Sequence, residues 1–122
     1  MASERFARDQ RLTTAPEYQR VLGGAQRRTT RYFTLLFLEN ELPHARLGLI
    51  VAKRQLPRAV ARNRFRRLAR ESFRRHQEQL SGLDVIVIAR AAAATLTNTA
   101  LLAQLDSNWP TAQRPCEPSS SG

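Results

Sequence analysis

From Phe65 to Leu80 the apolar residues recur at helical spacing. At about 100° per residue, Leu68, Ala69, Ser72, Phe73, His76 and Leu80 all fall within about 80° of Phe65. The opposite sector, about 100° to 200° away, holds Arg66, Arg70, Asn63, Arg74 and Arg67 and no acid. A helix over about residues 58–78 must therefore lay one face on an apolar layer and keep the other in water. The runs that can supply that layer flank it. Residues 32–38 (YFTLLFL) and 46–52 (RLGLIVA) are aromatic and aliphatic, and Asn40 and Pro43 between them predict a β-hairpin. Residues 84–89 (DVIVIA) are too short for a helix and predict a third strand, buried on both faces.

The remaining elements are signalled by their ends. Thr14-Ala-Pro-Glu17 matches a capping box, predicting a helix over about 15–22 that stops at Gly23-Gly24. Thr97 can cap a last helix whose Leu101, Leu102, Leu105 and Trp109 share a face. Residues 1–13 read as a basic arm and 110–122 as a disordered tail, leaving 1–109 as one domain, which suits a chain of 122 residues. No apolar stretch approaches the roughly 18 residues of a membrane span. The N-terminus has no apolar core for a secretory signal, and Cys116 is the only cysteine. The expectation is a cytoplasmic protein with no membrane contact.

Charge narrows the function. The chain carries a formal +10, and nineteen of its twenty Lys and Arg residues are arginine. Ten of those bases and a single acid, Glu71, lie between residues 53 and 75. A merely solvated helix would interleave acids at i,i+4, and here the single acid of the segment, Glu71, is so spaced from only two of the ten bases, Arg67 and Arg75. Like charge held this closely calls for a polyanion, and the guanidinium fork suits phosphate oxygens. Arginines one turn apart stand about 5 to 6 Å from each other, near the spacing of successive phosphates. Asn63 adds a donor and acceptor for a sugar or base edge. Tyr18, Tyr32 and Phe33 could stack bases, although strand parity puts Phe33 and Phe37 on one face as core and turns Tyr32 the other way. Catalytic groups are not apparent: the carboxylates form no motif, two histidines and one cysteine make no usual zinc site, and Gly48 and Gly82 stand alone rather than in a phosphate loop. Chemistry is expected to come from a partner.

The run ARNRFRRLARESFR (61–74), with FARDQRL (6–12) and LGLIVAKR (47–54) before it and DVIVIAR (84–90) after it, resembles the protein subunits of bacterial ribonuclease P. The resemblance extends from Phe6 to Trp109. It implies an α/β (α+β) two-layer sandwich, a mixed sheet of about four strands packed on helices, with an unusual left-handed βαβ crossover through the basic helix. It also implies an RNA-binding subunit that assists a catalytic RNA in cutting the 5′ leader from precursor transfer RNA and lowers the magnesium requirement. The magnesium is held mainly by the RNA, and no catalytic residue falls on the protein. The RNA-binding residues implied are Lys53, Arg54, Arg62, Asn63, Arg64, Arg66, Arg67, Arg70 and Arg74. A cleft for the single-stranded leader is implied at Arg11, Tyr18, Phe33 and Leu36. Many relatives carry phenylalanine where this chain has Tyr18 and Leu22, and some an aromatic at the position of Leu36.

Two other classes share the charge pattern. One is a non-enzymatic ribosomal or rRNA-assembly protein, separable by the RNA that co-purifies. The other is a DNA-binding protein using helix 58–78 in the major groove, disfavoured because no compact helix-turn-helix precedes that helix.

Overall fold

The computed structural model describes residues 11–12 and 14–110. Most of the basic arm expected at 1–13, and the tail after Pro110, lie outside the described residues. Helix α1 (Ala15–Gly24) opens with the expected capping box. Thr14 Oγ1 accepts from Glu17 N at 3.3 Å and Glu17 Oε1 accepts from Thr14 N at 3.2 Å. The helix runs through both glycines rather than ending before them. Strands β1 (Gln26–Thr29), β2 (Phe33–Glu39) and β3 (Arg46–Ile50) follow, then α2 (Ala59–Arg75), a single turn α3 (Gln77–Leu80), β4 (Leu83–Ala89), a 3₁₀ turn (Ala91–Thr95) and α4 (Asn98–Asn108).

The sheet is four-stranded and mixed, in the order β1-β2-β4-β3. β2 runs antiparallel to β1 and β4, whereas β3 and β4 are parallel and joined through α2. This corrects the hairpin expected between residues 32–38 and 46–52: those segments, β2 and β3, do not pair, because β4 lies between them. β4 is the most continuously apolar strand, and a central place buries both its faces and satisfies both its edges. The hairpin that does form joins β2 to β1. The polar run QRRT of β1 carries no apolar alternation because it is an edge strand with little to bury.

Alternation along the strands divides the interior. Phe33, Leu35 and Phe37 meet Val85, Val87 and Ala89 on the face covered by α2 and α4, together with Phe65, Leu68, Phe73, Leu101, Leu105 and Trp109. On the opposite face Leu36 and Ile86 meet Leu12 and Val21 beneath α1. The apolar stripe expected on α2 is the buried one: Phe65, Leu68, Ala69, Ser72 and Phe73. That helix ends earlier than its periodicity suggests. The ring Nδ1 of His76 lies 2.8 Å from the Ser72 carbonyl, and the His76 backbone N–H turns to Phe73 O at 3.0 Å instead, tightening the last turn. α4 is capped as expected, Thr97 Oγ1 accepting from Ala100 N at 3.1 Å. Its end is locked to α2 by Trp109 Nε1, which donates to Ser72 Oγ at 2.7 Å, and by an edge-on contact between the Trp109 and Phe73 rings.

One buried charge organises the other end of the sheet. Asp84, at the start of β4, is fully buried and accepts from Arg46 Nε at 2.9 Å and a second Arg46 nitrogen at 2.8 Å. Arg20 of α1 and Asn40 of the β2–β3 loop donate to the same carboxylate at 3.2 and 2.8 Å. Arg46 also reaches Glu17 at 3.0 Å, so α1, the loop, β3 and β4 share one network. Among the described residues no helix is long and apolar enough to cross a membrane.

Candidate nucleic-acid interface

The basic segment begins in the loop after β3, where Lys53 and Arg54 are exposed on a turn closed by Gln55 N and Leu56 N donating to Ala52 O. Arg62 turns back into that loop and donates to Leu56 O and Pro57 O at 3.0 and 2.9 Å. Arg64 donates to Asn98 Oδ1 at 2.9 Å and Ala93 O at 3.3 Å, tying α2 to the start of α4. Arg75, in the last turn, is paired with Asp106 at 3.0 Å. These guanidiniums are bound within the chain. The others face outward. Arg66 donates to Asn63 Oδ1 at 3.1 Å, orienting the Asn63 amide, and Arg67, Arg70 and Arg74 make no side-chain hydrogen bond or ion pair among the described residues.

A cavity of about 140 Å³ opens where this face meets the free edge of β3, lined by Arg11, Leu12, Tyr18, Leu47, Leu49, Arg66 and Arg70. The N-terminal segment closes one side of it, Leu12 N donating to Leu47 O at 3.0 Å. The Tyr18 hydroxyl accepts from Leu49 N at 3.1 Å. Partial burial, then the like charges of Arg11 and Arg66, pull the Arg70 guanidinium below its ordinary value. The hydrogen bonds that Arg46 donates to Asp84 do the reverse, holding its guanidinium above its ordinary value against the effect of burial. Arg70 thus has like charges for neighbours, whereas Arg46 stands between two carboxylates. An anionic ligand would relieve the repulsion on Arg70.

The residues expected to form a leader cleft do not all meet here. Arg11 and Tyr18 line the cavity. Phe33 is 0% exposed on the opposite sheet face, among Phe65, Leu68 and Phe73, and has no surface on which a base could stack. Its parity with Phe37 in β2 decides the matter, as the core reading of the strand anticipated. Leu36 is on the α1 face but only 4% exposed, packed beneath Val21. Leu22, by contrast, stands 47% exposed on α1. The sequence reading passed over Leu12, Leu47 and Leu49, which wall the cavity, because as isolated aliphatics they carry no signal other than core. It also passed over Gly48, whose one mark was a glycine inside an otherwise aliphatic strand. Two arginines lie over aromatic rings, Arg28 over Phe37 with its carbon 6.0 Å from the ring centre and Arg31 over Tyr32 at 5.9 Å.

The chain matches the family model described as Ribonuclease P over residues 6–113. It is 46% identical over 110 residues to the ribonuclease P protein component of Vibrio campbellii, covering 90% of this chain and 93% of that one. With the protein of the same name from Vibrio cholerae, identity is 43% over 115 residues, 94% of this chain and 98% of the relative. Among solved structures, the Staphylococcus aureus RNase P protein superposes with a TM-score of 0.75 at 32% identity, over 80% of this chain and 90% of that one. The Thermotoga maritima RNase P protein superposes at 0.68 and 26% identity, over 81% and 97%. The family model spans every described strand and helix, the solved structures share the fold over about four fifths of the chain, and the chain belongs to the ribonuclease P protein family.

Proposed function

We propose that this chain is the protein component of a ribonuclease P ribonucleoprotein, which binds a catalytic RNA and helps it remove the 5′ leader of precursor transfer RNA. The observation that carries the reading is the division of labour among the arginines. Arg62, Arg64 and Arg75 are bound internally, while Arg67, Arg70 and Arg74 present an outward row on α2 and Lys53 and Arg54 are exposed in the loop that leads into that helix. Such a row follows a phosphate backbone, and Asn63, oriented by Arg66, supplies a group able to read a sugar or base edge.

In this reading the cavity beside Tyr18 takes the leader. A nucleotide there would set its base against the ring and its phosphate toward Arg11, Arg66 and Arg70, the pairing of aromatic and cation that single strands favour. Among the described residues no three His, Cys, Asp or Glu side chains gather where they could hold a metal ion, and three of the carboxylates are already engaged by other side chains. Asp84 is enclosed by Arg46, Arg20 and Asn40, Asp106 is held by Arg75 and Ser72, and Glu17 by Arg46. We therefore place the magnesium chemistry on the RNA. The arginines do what screening cations otherwise do, easing the approach of two polyanions, so their contribution is largest when magnesium is scarce.

The test is to purify the chain from its own cells and sequence the RNA that accompanies it, then reconstitute cleavage with that RNA. One discrete structured RNA that restores 5′ leader removal is expected. Recovery of ribosomal RNA alone would replace this reading with that of an assembly protein.

A further inference from the structure

We propose that Gly48 and the backbone amide of Leu49 form a device that positions the Tyr18 ring before the leader arrives. The inference rests on the reading above, that Tyr18 faces the leader, and goes beyond it by naming what holds the ring. Gly48 is buried in β3, opposite Ile86 of β4. A Cβ at Gly48 would stand 2.8 Å from Tyr18 Cζ and 2.9 Å from both Cε2 and Oη. Carbon atoms in good contact sit about 3.5 to 4.0 Å apart, so the ring occupies space that every other residue's Cβ would fill.

The second contact fixes the end of the same ring. β3 is an edge strand, and the side turned away from β4 is free to bond elsewhere. Leu47 O accepts from Leu12 N on that side, and two residues on, Leu49 N donates to the Tyr18 hydroxyl at 3.1 Å. The phenol oxygen thus stands where a neighbouring strand's carbonyl would be. Acting as acceptor, it keeps its own O–H to donate. A phenylalanine at this position could rest on the glycine but could not take the amide. Held at both places, the ring gives up its rotamer freedom on folding rather than on binding, which lowers the entropy cost of stacking. The same ring lines the cavity with Arg11, Arg66 and Arg70, so its placement sets the distance between a stacked base and the cationic wall.

The experiment uses the holoenzyme reconstituted with its catalytic RNA, comparing the affinities of a leader-bearing precursor and of mature transfer RNA. Gly48→Ala is expected to weaken precursor binding by roughly 5- to 100-fold, the range of one lost stacking contact, and to change mature transfer RNA by less than about two-fold. Tyr18→Ala should do the same, and the double variant should be no worse than either single one, since both remove one placement of one ring. Tyr18→Phe should show a smaller leader-specific loss of roughly 2- to 10-fold, that of a single hydrogen bond. Wild-type affinity in Gly48→Ala, equal losses on both ligands, or additive losses in the double variant would overturn the device. If Gly48→Ala does not fold, as read by circular dichroism, Tyr18→Phe decides, and wild-type precursor affinity in that variant overturns it. A leader-specific loss in Tyr18→Ala but not in Gly48→Ala rejects the device alone; no such loss in Tyr18→Ala rejects the reading of Tyr18 as well.

Discussion

Arg62 and Arg67 lie five positions apart in α2, yet one guanidinium closes a loop through Leu56 O and Pro57 O and the other has no side-chain partner among the described residues. Replacing both Arg67 and Arg70 by alanine should therefore leave the fold intact. It should also reduce the slope of log affinity against log salt by about two, roughly one unit for each lost phosphate contact. Binding isotherms at several salt concentrations check this. Arg62→Ala should instead loosen the loop before α2 and lower the unfolding midpoint. Asp84 behaves differently again. Its carboxylate is fully buried against Arg46, Arg20 and Asn40, and Asp84→Asn removes the buried counter-charge of Arg46 and Arg20, leaving Arg46 only the half-buried Glu17. A loss on the order of 3 to 5 kcal/mol in urea unfolding is expected. Neither perturbed arginine makes stability vary between pH 6 and 9. Arg46, raised above its ordinary value, contributes stability that is fully present below that value and lost only as pH climbs through its higher folded value. Arg70, lowered, carries a cost wherever it is charged, and that cost is relieved only as pH rises through its folded value. Arg70→Gln should accordingly raise the unfolding midpoint slightly while weakening RNA binding.

At the scale of elements, the apolar stripe of α2 and the caps of α1 and α4 could be read directly, because helical periodicity and capping are local. The hairpin could not. Asn40 and Pro43 do make a turn, in which Leu42 N donates to Asn40 Oδ1 at 2.7 Å and Glu41 takes a φ of 59°. That turn, however, spans β4 rather than joining neighbours: Asn40 N donates to Gly82 O at 2.9 Å, beside the strand that separates β2 from β3. Local turn chemistry carries no information about an insertion from forty residues away. The seat of α4 on α2 offers a further test. Trp109, the only tryptophan, is 5% exposed and joins Ser72 and Phe73. Trp109→Ala should cost roughly 3 to 5 kcal/mol of stability. In the unaltered chain the tryptophan fluorescence should change in step with far-ultraviolet circular dichroism during unfolding.

For the whole molecule, a formal +10 governs association. The protein freed of RNA should not cut precursor transfer RNA, and adding the catalytic RNA should restore cleavage. The advantage conferred by the protein should shrink as magnesium rises, because more divalent ions then screen the same phosphates. Cleavage rates measured with and without protein across a magnesium series check both statements. The composition of the segment between residues 53 and 75 was enough to name a polyanionic partner, and the order of its motifs was enough to name the family, because charge and spacing are properties of the chain itself. Which arginines remain available to that partner, which face Phe33 takes, and how closely Gly48 lets the Tyr18 ring approach β3 were decided only in three dimensions. Each depends on what the fold brings alongside: carbonyls at 56 and 57 for Arg62, a second helical layer over Phe33, and the free edge of β3 under Tyr18. Those neighbours are distant in sequence, and the packing of both sheet faces is what sets them side by side.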